Sequence, residues 1–205
     1  MLYAKYFISV INMSPKPGSA ENKEKARLSI DEWLGAALEA LANYGPEVLT
    51  IEKLCKHLGV SRGSFYWHFK NRDDFIKKLV QYWDTRLTNS IAETTQLVQE
   101  DPSQTLMFLM DLITETNAGR YDIPIRSWAA TNPHAAAAVK QTDTTRYNFV
   151  KSLFSGIGFS GDELEIRVRA FVVYFSMERA LTIEEKPKER KRRLTLLHQL
   201  LTQRV

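Results

Sequence analysis

Five ring-bearing residues follow one another in the segment SRGSFYWHFKNR, residues 61 to 72: Phe65, Tyr66, Trp67, His68 and Phe69. A helix turns by about 100° per residue, so a single protein face cannot bury all five. Phe65 and Phe69 are four apart, share a face and can pack inward. Tyr66 and His68 then point elsewhere. Trp67 falls at the boundary, between packing on the first helix and touching a backbone. A phenol or an imidazole joins a flat apolar body to a polar tip. That combination suits a sugar-phosphate surface, with the ring on ribose and the hydroxyl or N–H on phosphate. Charge agrees: from Lys53 to Arg72 lie Lys53, Lys56, Arg62, Lys70 and Arg72, with no acidic residue among them. Arg62 can grip guanine through two bonds, and Ser64 can serve several base edges or a phosphate. Gly63 between them has no side chain, so the backbone can approach a duplex closely.

These residues need a rigid frame, and the flanking sequence predicts one. TIEKLCKHLG reads as a helix with Thr50 as N-cap and Gly59 as its stop. Gly59 supplies the positive φ of a tight turn, Val60 fills the corner, and Ser61 starts the next helix. Residues 50 to 69 therefore form a helix-turn-helix, whose second helix places its first turn in the major groove. Upstream, SIDEWLGAALEALANYG opens on a capping box, Ser29 with Glu32, and ends at Gly45. Asn71 caps a further helix on which Phe75, Leu79, Trp83, Leu87 and Ile91 repeat every four residues. It is expected to run to about Gln99, roughly 40 Å at 1.5 Å per residue.

Past a break at EDPSQ, the apolar spacing predicts a helix carrying Leu106, Leu109, Met110 and Ile113 that stops near Gly119. Three more follow, and a last one spans about 189 to 202. No alternating strand pattern and no internal repeat occurs, so the fold class is all-α. On the last helix Leu194, Leu197 and Leu201 make one stripe, and Leu196 and Leu200 another. One subunit would leave a stripe uncovered, which argues for a second copy.

Residues 27 to 87 resemble the DNA-binding domain of the TetR family of bacterial transcriptional regulators. The resemblance is carried by LTIEKLCKHLGVSRGSFYWHFKNRDDF: Thr50, the LGVSRGS turn, the FYWHF run and the segment from Lys70 to Arg72. It implies phosphate contacts from Thr50, Tyr66, His68 and Arg72, the last at a position where Lys is commoner. It implies base contacts from Arg62, Gly63 and Ser64; Trp67 and Lys70 complete the expected DNA-binding set. An N-terminal helix-turn-helix domain followed by a C-terminal α-helical ligand-binding and dimerisation domain is the implied organisation. Its boundaries are a flexible extension over 1–26, the DNA-binding domain over 27–87 and the second domain over 88–205. The implied partners are a double-stranded DNA operator read by a homodimer, and a small-molecule effector that releases it. Repression is the family's commoner mode, and the cytoplasm is the expected location. Candidate effector-binding residues are Phe108, Trp128, Tyr147, Phe171 and Tyr174, with Arg126 as a charged anchor. Aromatics at helical spacing can equally be core.

Composition leaves other classes open or closes them. The chain of 205 residues has a net charge of +4, which permits an anionic partner without requiring one. Cys55 is the single cysteine, so an intrachain disulfide cannot form, in keeping with a reducing compartment. MLYAKYFISVIN falls far short of the roughly 20 apolar residues of a membrane span, and no small-residue cleavage site follows. Met13 is the expected natural start. There is no glycine-rich phosphate loop, no nucleophile elbow and no metal-spaced Cys/His set, so neither an enzyme nor a cofactor or metal is expected. The alternative readings are a regulator-like protein-binding module without sequence-specific DNA binding, or a small-molecule enzyme.

Overall fold

Hydrogen bonds that the local sequence supplies to its own backbone set where the helices begin and end. A computed structural model describes residues 28–96, 101–181, 183 and 186–204; the expectations for 1–26 and for a start at Met13 lie outside the described residues. Helix α1, Ile30–Tyr44, opens on the expected capping box. Ser29 Oγ accepts from the Glu32 N–H at 3.2 Å, and the Glu32 carboxylate accepts from the Ser29 N–H at 2.7 Å. Helix α2, Ile51–Leu58, is capped by Thr50 and closed by Gly59 at φ 65° and ψ 28°, the left-handed region that favours glycine. Ser61 caps α3, Arg62–His68, and Asn71 caps α4, Arg72–Asp84.

Helix α4 does not end at a linker. It passes through a π-helical segment, Thr85–Asn89, into α5, Ser90–Gln96. The expected long helix is thus a continuous rod from 72 to 96 with a widened turn in it. The proposed boundary at 87/88 falls inside that turn. Threonine and serine compete for nearby backbone groups, and Ser90 Oγ donates to the Thr85 carbonyl at 2.9 Å. Such π turns often mark functional positions in a helix.

Asp101 caps α6, Pro102–Thr116, with Pro102 at the first position, where its missing N–H costs nothing. A 3-10 turn, Ala118–Tyr121, leads into α7, Asp122–Ala129. Helices α8, Pro133–Ile157, and α9, Gly161–Met177, follow, and then α10, Pro187–Thr202. The described residues contain no strand, so the all-α class holds. The α6 helix stops three residues short of the expected Gly119, because Asn117 turns left-handed at φ 53°.

Two packed regions share the α4 rod. In the first, Trp33 of α1 meets Phe65 and Phe69 edge-on, at centroid distances of 5.8 and 6.0 Å, and Phe75 of α4 lies 5.1 Å from Phe69. Each such pair adds about 0.5–1.5 kcal/mol beyond area burial. In the second, α8 is the central mast, packed against α4, α6, α7 and α9. Buried Arg167 of α9 donates to the carbonyls of Leu201 and Gln203, both at 2.7 Å, and its guanidinium lies 4.1 Å over Phe159. A cation there satisfies carbonyls that the end of α10 would otherwise leave orphaned.

The two stripes of α10 separate as expected. Leu194 and Leu201 are buried and Leu197 is half-buried, whereas Leu196 and Leu200 are exposed. Ile166, Val173, Tyr174 and Met177 line the outer face of α9 in the same way.

Candidate nucleic-acid interface

The first question is which way the ring-bearing helix turns its side chains. Phe65 and Phe69 are buried against Trp33, as their spacing requires. Tyr66 and Trp67 are exposed, at 58% and 64%. Trp67 therefore leaves the boundary position and stands outward. Arg62, Gly63, Lys70, Arg72 and Thr50 are also exposed.

Two residues of the expected set behave differently. Ser64 turns inward, its hydroxyl accepting from Trp33 Nε1 at 3.2 Å. The indole N–H, buried with its ring, needs an acceptor, and Ser64 supplies it. One hydroxyl proton remains for an outside acceptor. His68 is half-buried and does not stand free: its Nε2 donates to the Leu28 carbonyl at 2.7 Å. That bond ties the end of α3 to the stretch of chain entering α1. Lys78 adds a second tie, Nζ to the His68 carbonyl at 3.2 Å.

The outward residues converge. A shallow groove is bounded by Thr50 and Lys53 at the start of α2, by Arg62 and Tyr66 on α3, and by Arg72 at the start of α4. Three helix starts thus meet on one face, where backbone N–H groups and helix dipoles favour an anion. Lys53 Nζ donates to the Glu47 carbonyl at 2.9 Å, and Arg72 Nε to the Leu49 carbonyl at 3.3 Å. Each cation is tied to the rim through one of its own N–H groups. Glu52 also lines the groove and pairs with Arg62, a partner that sequence reasoning missed because α2 and α3 had to be assembled first. Both side chains are well exposed, at 63% and 74%, so the pair contributes only about 0–1 kcal/mol and opens readily. Asp73 and Asp74 lie in the first turn of α4. The Lys77 side chain, followed by His134, holds Asp73 below the usual carboxylate range; the Lys70 backbone N–H, followed by Lys78, does the same for Asp74.

A cavity of about 60 Å³ lies among the π segment, α5, α6, the 118–121 turn, the start of α7, α8 and α9. Of the six expected effector residues, Phe171 lines it. Arg126 and Tyr147 line a separate surface groove with Val173 and Met177. Arg126 is already engaged by Asp143, at 2.9 Å through Nη1, and Tyr147 bonds to Glu165. Trp128 is buried core, Phe108 packs half-buried against the core, and Tyr174 is on the exposed face of α9. Sequence reasoning passed over the most polar feature of the cavity, the pair Asp122–Arg146 at 2.8 Å. A signal existed: Thr142, Arg146 and Val150 are four apart on α8, placing one cation on an inward stripe. Burial raises the Asp122 carboxyl, and the Arg146 charge opposes it. Arg146 also donates to Thr88 Oγ1 in the π segment and to Ser176 Oγ, both at 3.2 Å.

Hydrogen bonds also tie the second half of the chain to the first. Tyr121 donates to Glu39 of α1 at 2.5 Å, alongside an Arg120–Glu39 pair, and His134 Nε2 meets Asp73 at 2.7 Å. Among the described residues no group of three or more His, Cys, Asp or Glu is placed to hold a metal, and no helix is long and apolar enough to cross a membrane.

Residues 34–79 match the family model described as bacterial regulatory proteins, tetR family. An HTH-type transcriptional repressor of Mycobacterium tuberculosis is 26% identical over 94 residues, 46% of this chain and 35% of that one. The class D tetracycline repressor protein of Escherichia coli is 39% identical over 54 residues, 26% of this chain and 25% of that one. The chain spans only about a third of the length of the first of these relatives. Solved structures extend the likeness to the whole fold. A TetR family transcriptional regulator from Thermus thermophilus superposes with a TM-score of 0.66 at 14% identity, over 83% of this chain and 96% of that one. A transcriptional regulator from Rhodococcus sp. Rha1 gives 0.66 at 19% identity, over 85% and 96%. The helix-turn-helix of this chain, residues 34–79, is thus that of the bacterial regulatory proteins of the tetR family, and the order of its helices gives the fold of such regulators of known structure.

Proposed function

We propose that this protein is a transcriptional regulator that binds an operator as a homodimer, represses from it, and is released by a small molecule taken up beside α8. The observation that carries this reading is the groove shared by Thr50, Lys53, Arg62, Tyr66 and Arg72. It gathers cations, a hydroxyl and a phenol from three helix starts on one exposed face, the chemistry a phosphate backbone selects. The DNA-binding residues divide by reach. Thr50, Tyr66, Lys70 and Arg72 serve phosphates, Trp67 lies against sugar and backbone, and Arg62 with Gly63 reads base edges. Ser64 and His68 hold α3 in place through Trp33 and Leu28, and Ser64 keeps one proton to donate. Residues 27–87 form the reading domain and 88–205 the sensing and pairing domain, joined through the rod. The relatives named as repressors support the sign of regulation.

Sensing follows from the rod. A ligand alters DNA binding only if it binds two poses of the rod differently. The cavity touches the rod at Thr88, Ile91 and Ala92, and the 118–121 turn that lines it with Ala118 and Gly119 bonds to α1 through Tyr121 and Glu39, so a change in its packing can reach the reading domain by two routes.

Two substitutions test the DNA side. Arg62→Ala is expected to cost about 1–3 kcal/mol on the cognate site and to relax base preference at one position per half-site. Quantitative binding to a panel of single-base operator variants checks this, and an equal loss on every sequence removes Arg62 from base reading. Arg72→Ala is expected to weaken binding on all sequences and to reduce the salt slope by about one unit per contact. Titrations across salt concentrations measure it; an unchanged slope removes Arg72 from the phosphate contacts.

A further inference from the structure

Asp122 is almost fully buried, with 2% of its side chain exposed, yet only one of its two carboxylate oxygens is used. Oδ2 accepts from Arg146 Nη1 at 2.8 Å. Oδ1 is buried without a hydrogen-bond partner, and Asp122 lines the cavity. Buried polar atoms are paired in the great majority of cases, and an orphan one calls for a partner that binds there. Thr88, Thr145, Arg146 and Ser176 also line it, and the rest of the wall is mainly apolar, with Ile91, Leu109, Ile113, Phe149, Val150 and Phe171 around the space.

We infer that the cavity takes a small, uncharged, mainly apolar ligand whose single hydroxyl or N–H donates to Asp122 Oδ1. The inference rests on the effector reading above and gives that effector its chemistry. Charge decides against the alternatives. An anionic head would face the Asp122 carboxylate, and a cationic one would face Arg146 and the nearby Arg126. The Asp122–Arg146 pair is already neutral as a unit, so a neutral donor adds a bond without adding a charge. Volume sets the size: about 60 Å³ holds roughly four to six positions of water size, a ligand of five or six heavy atoms. Gly119 shows how closely the wall is drawn, since a Cβ there would lie 2.8 Å from the Phe175 carbonyl oxygen.

The placement also joins ligand to reader. The guanidinium that holds Oδ2 is the one that donates to Thr88 in the π segment. A donor on Oδ1 draws the carboxylate toward the cavity and shifts the balance of Arg146 between Asp122 and Thr88. Occupancy and operator affinity are then linked, each changing the other by the same factor.

Ligand-observed NMR on the full chain tests this with three probes: 1-butanol as a donor, 2-butanone of equal size as an acceptor only, and butanoate as the anion. The expected result is binding of 1-butanol with a Kd on the order of 1 mM, and at least about tenfold weaker binding of the other two. Asp122→Asn presents an amide N–H where Oδ1 stood, because its oxygen stays with Arg146, and is expected to reverse the preference toward 2-butanone. Ala92→Phe, which fills the cavity from its edge, is expected to abolish binding of all three while retaining the circular dichroism of the parent. Preference for 2-butanone or butanoate by the parent protein, an unchanged ratio in Asp122→Asn, or no binding of any probe would overturn the inference. Failure of the effector reading looks different: 1-butanol binds with the expected preference, and operator affinity at saturation stays the same.

Discussion

Arg146→Met is expected to destabilise the fold by about 3–5 kcal/mol, because it leaves a buried carboxylate without its cation. Asp122 has 2% and Arg146 17% of its side chain exposed, so solvent does little to relieve the loss. The methionine keeps the length of the stem and its packing over Trp83, where the guanidinium sits 5.6 Å from the ring centroid. Most of the effect is therefore charge and hydrogen bonding. The pH dependence identifies it. Burial already raises the Asp122 carboxyl above its ordinary value, and without Arg146 it rises further. A group whose folded value is raised lends its stability below the unfolded value, near 4, and loses it as pH rises through the folded value. The deficit of Arg146→Met is thus expected to be small under acid conditions and to grow toward neutrality. Asp122→Leu combined with Arg146→Met is expected to recover more than half of the loss. Denaturant unfolding of the single and double variants at several pH values checks both statements. A deficit independent of pH would assign the effect to packing.

Leu200→Glu is expected to break the pairing of two copies. Leu200 is 69% exposed and Leu196 55% on α10, and Ile166 and Val173 on α9 are exposed as well, apolar side chains with no cover among the described residues. In a two-fold pair each position counts twice. Losing a buried leucine on each side removes about 3–6 kcal/mol, before the cost of two buried carboxylates, and weakens association by roughly 10²–10⁴-fold. Light scattering should show monomers at micromolar concentration, with the helical content of the parent. Operator affinity should fall with it, since one reading helix then holds one half-site and the tethered second contact is lost. An unchanged dimer would place the pairing surface elsewhere.

Local chemistry was legible in the sequence, and distant partnership was not. Ser29 with Glu32, Thr50, Gly59, Ser61 and Asn71 act within three or four residues of their own backbone, so the sequence alone placed the helix starts and the tight turn. The two stripes on α10 were likewise readable, because helical spacing sorts Leu194 and Leu201 from Leu196 and Leu200. The inward turn of Ser64 depends on Trp33, thirty-one residues away, and the tether of His68 on Leu28, forty away. No spacing rule reveals such pairs. The effector candidates scattered for a related reason. An aromatic side chain marks a helix face as apolar without saying whether a core, a cavity or a second copy covers it, so Trp128, Tyr147 and Tyr174 went to three different places. The cavity is instead marked by a charge pair between α7 and α8. The π segment also escaped notice, since in the sequence the four-residue repeat of Phe75, Leu79, Trp83, Leu87 and Ile91 runs on without a break.

Selection of DNA bound by the full chain from a random duplex library tests the reading face most directly. An operator-reading dimer predicts enrichment of one inverted repeat, its half-sites centred about one helical turn or a whole multiple apart. Binding that depends on salt but enriches no sequence would reduce the groove between Thr50, Arg62, Tyr66 and Arg72 to a merely basic surface, and would contradict the account.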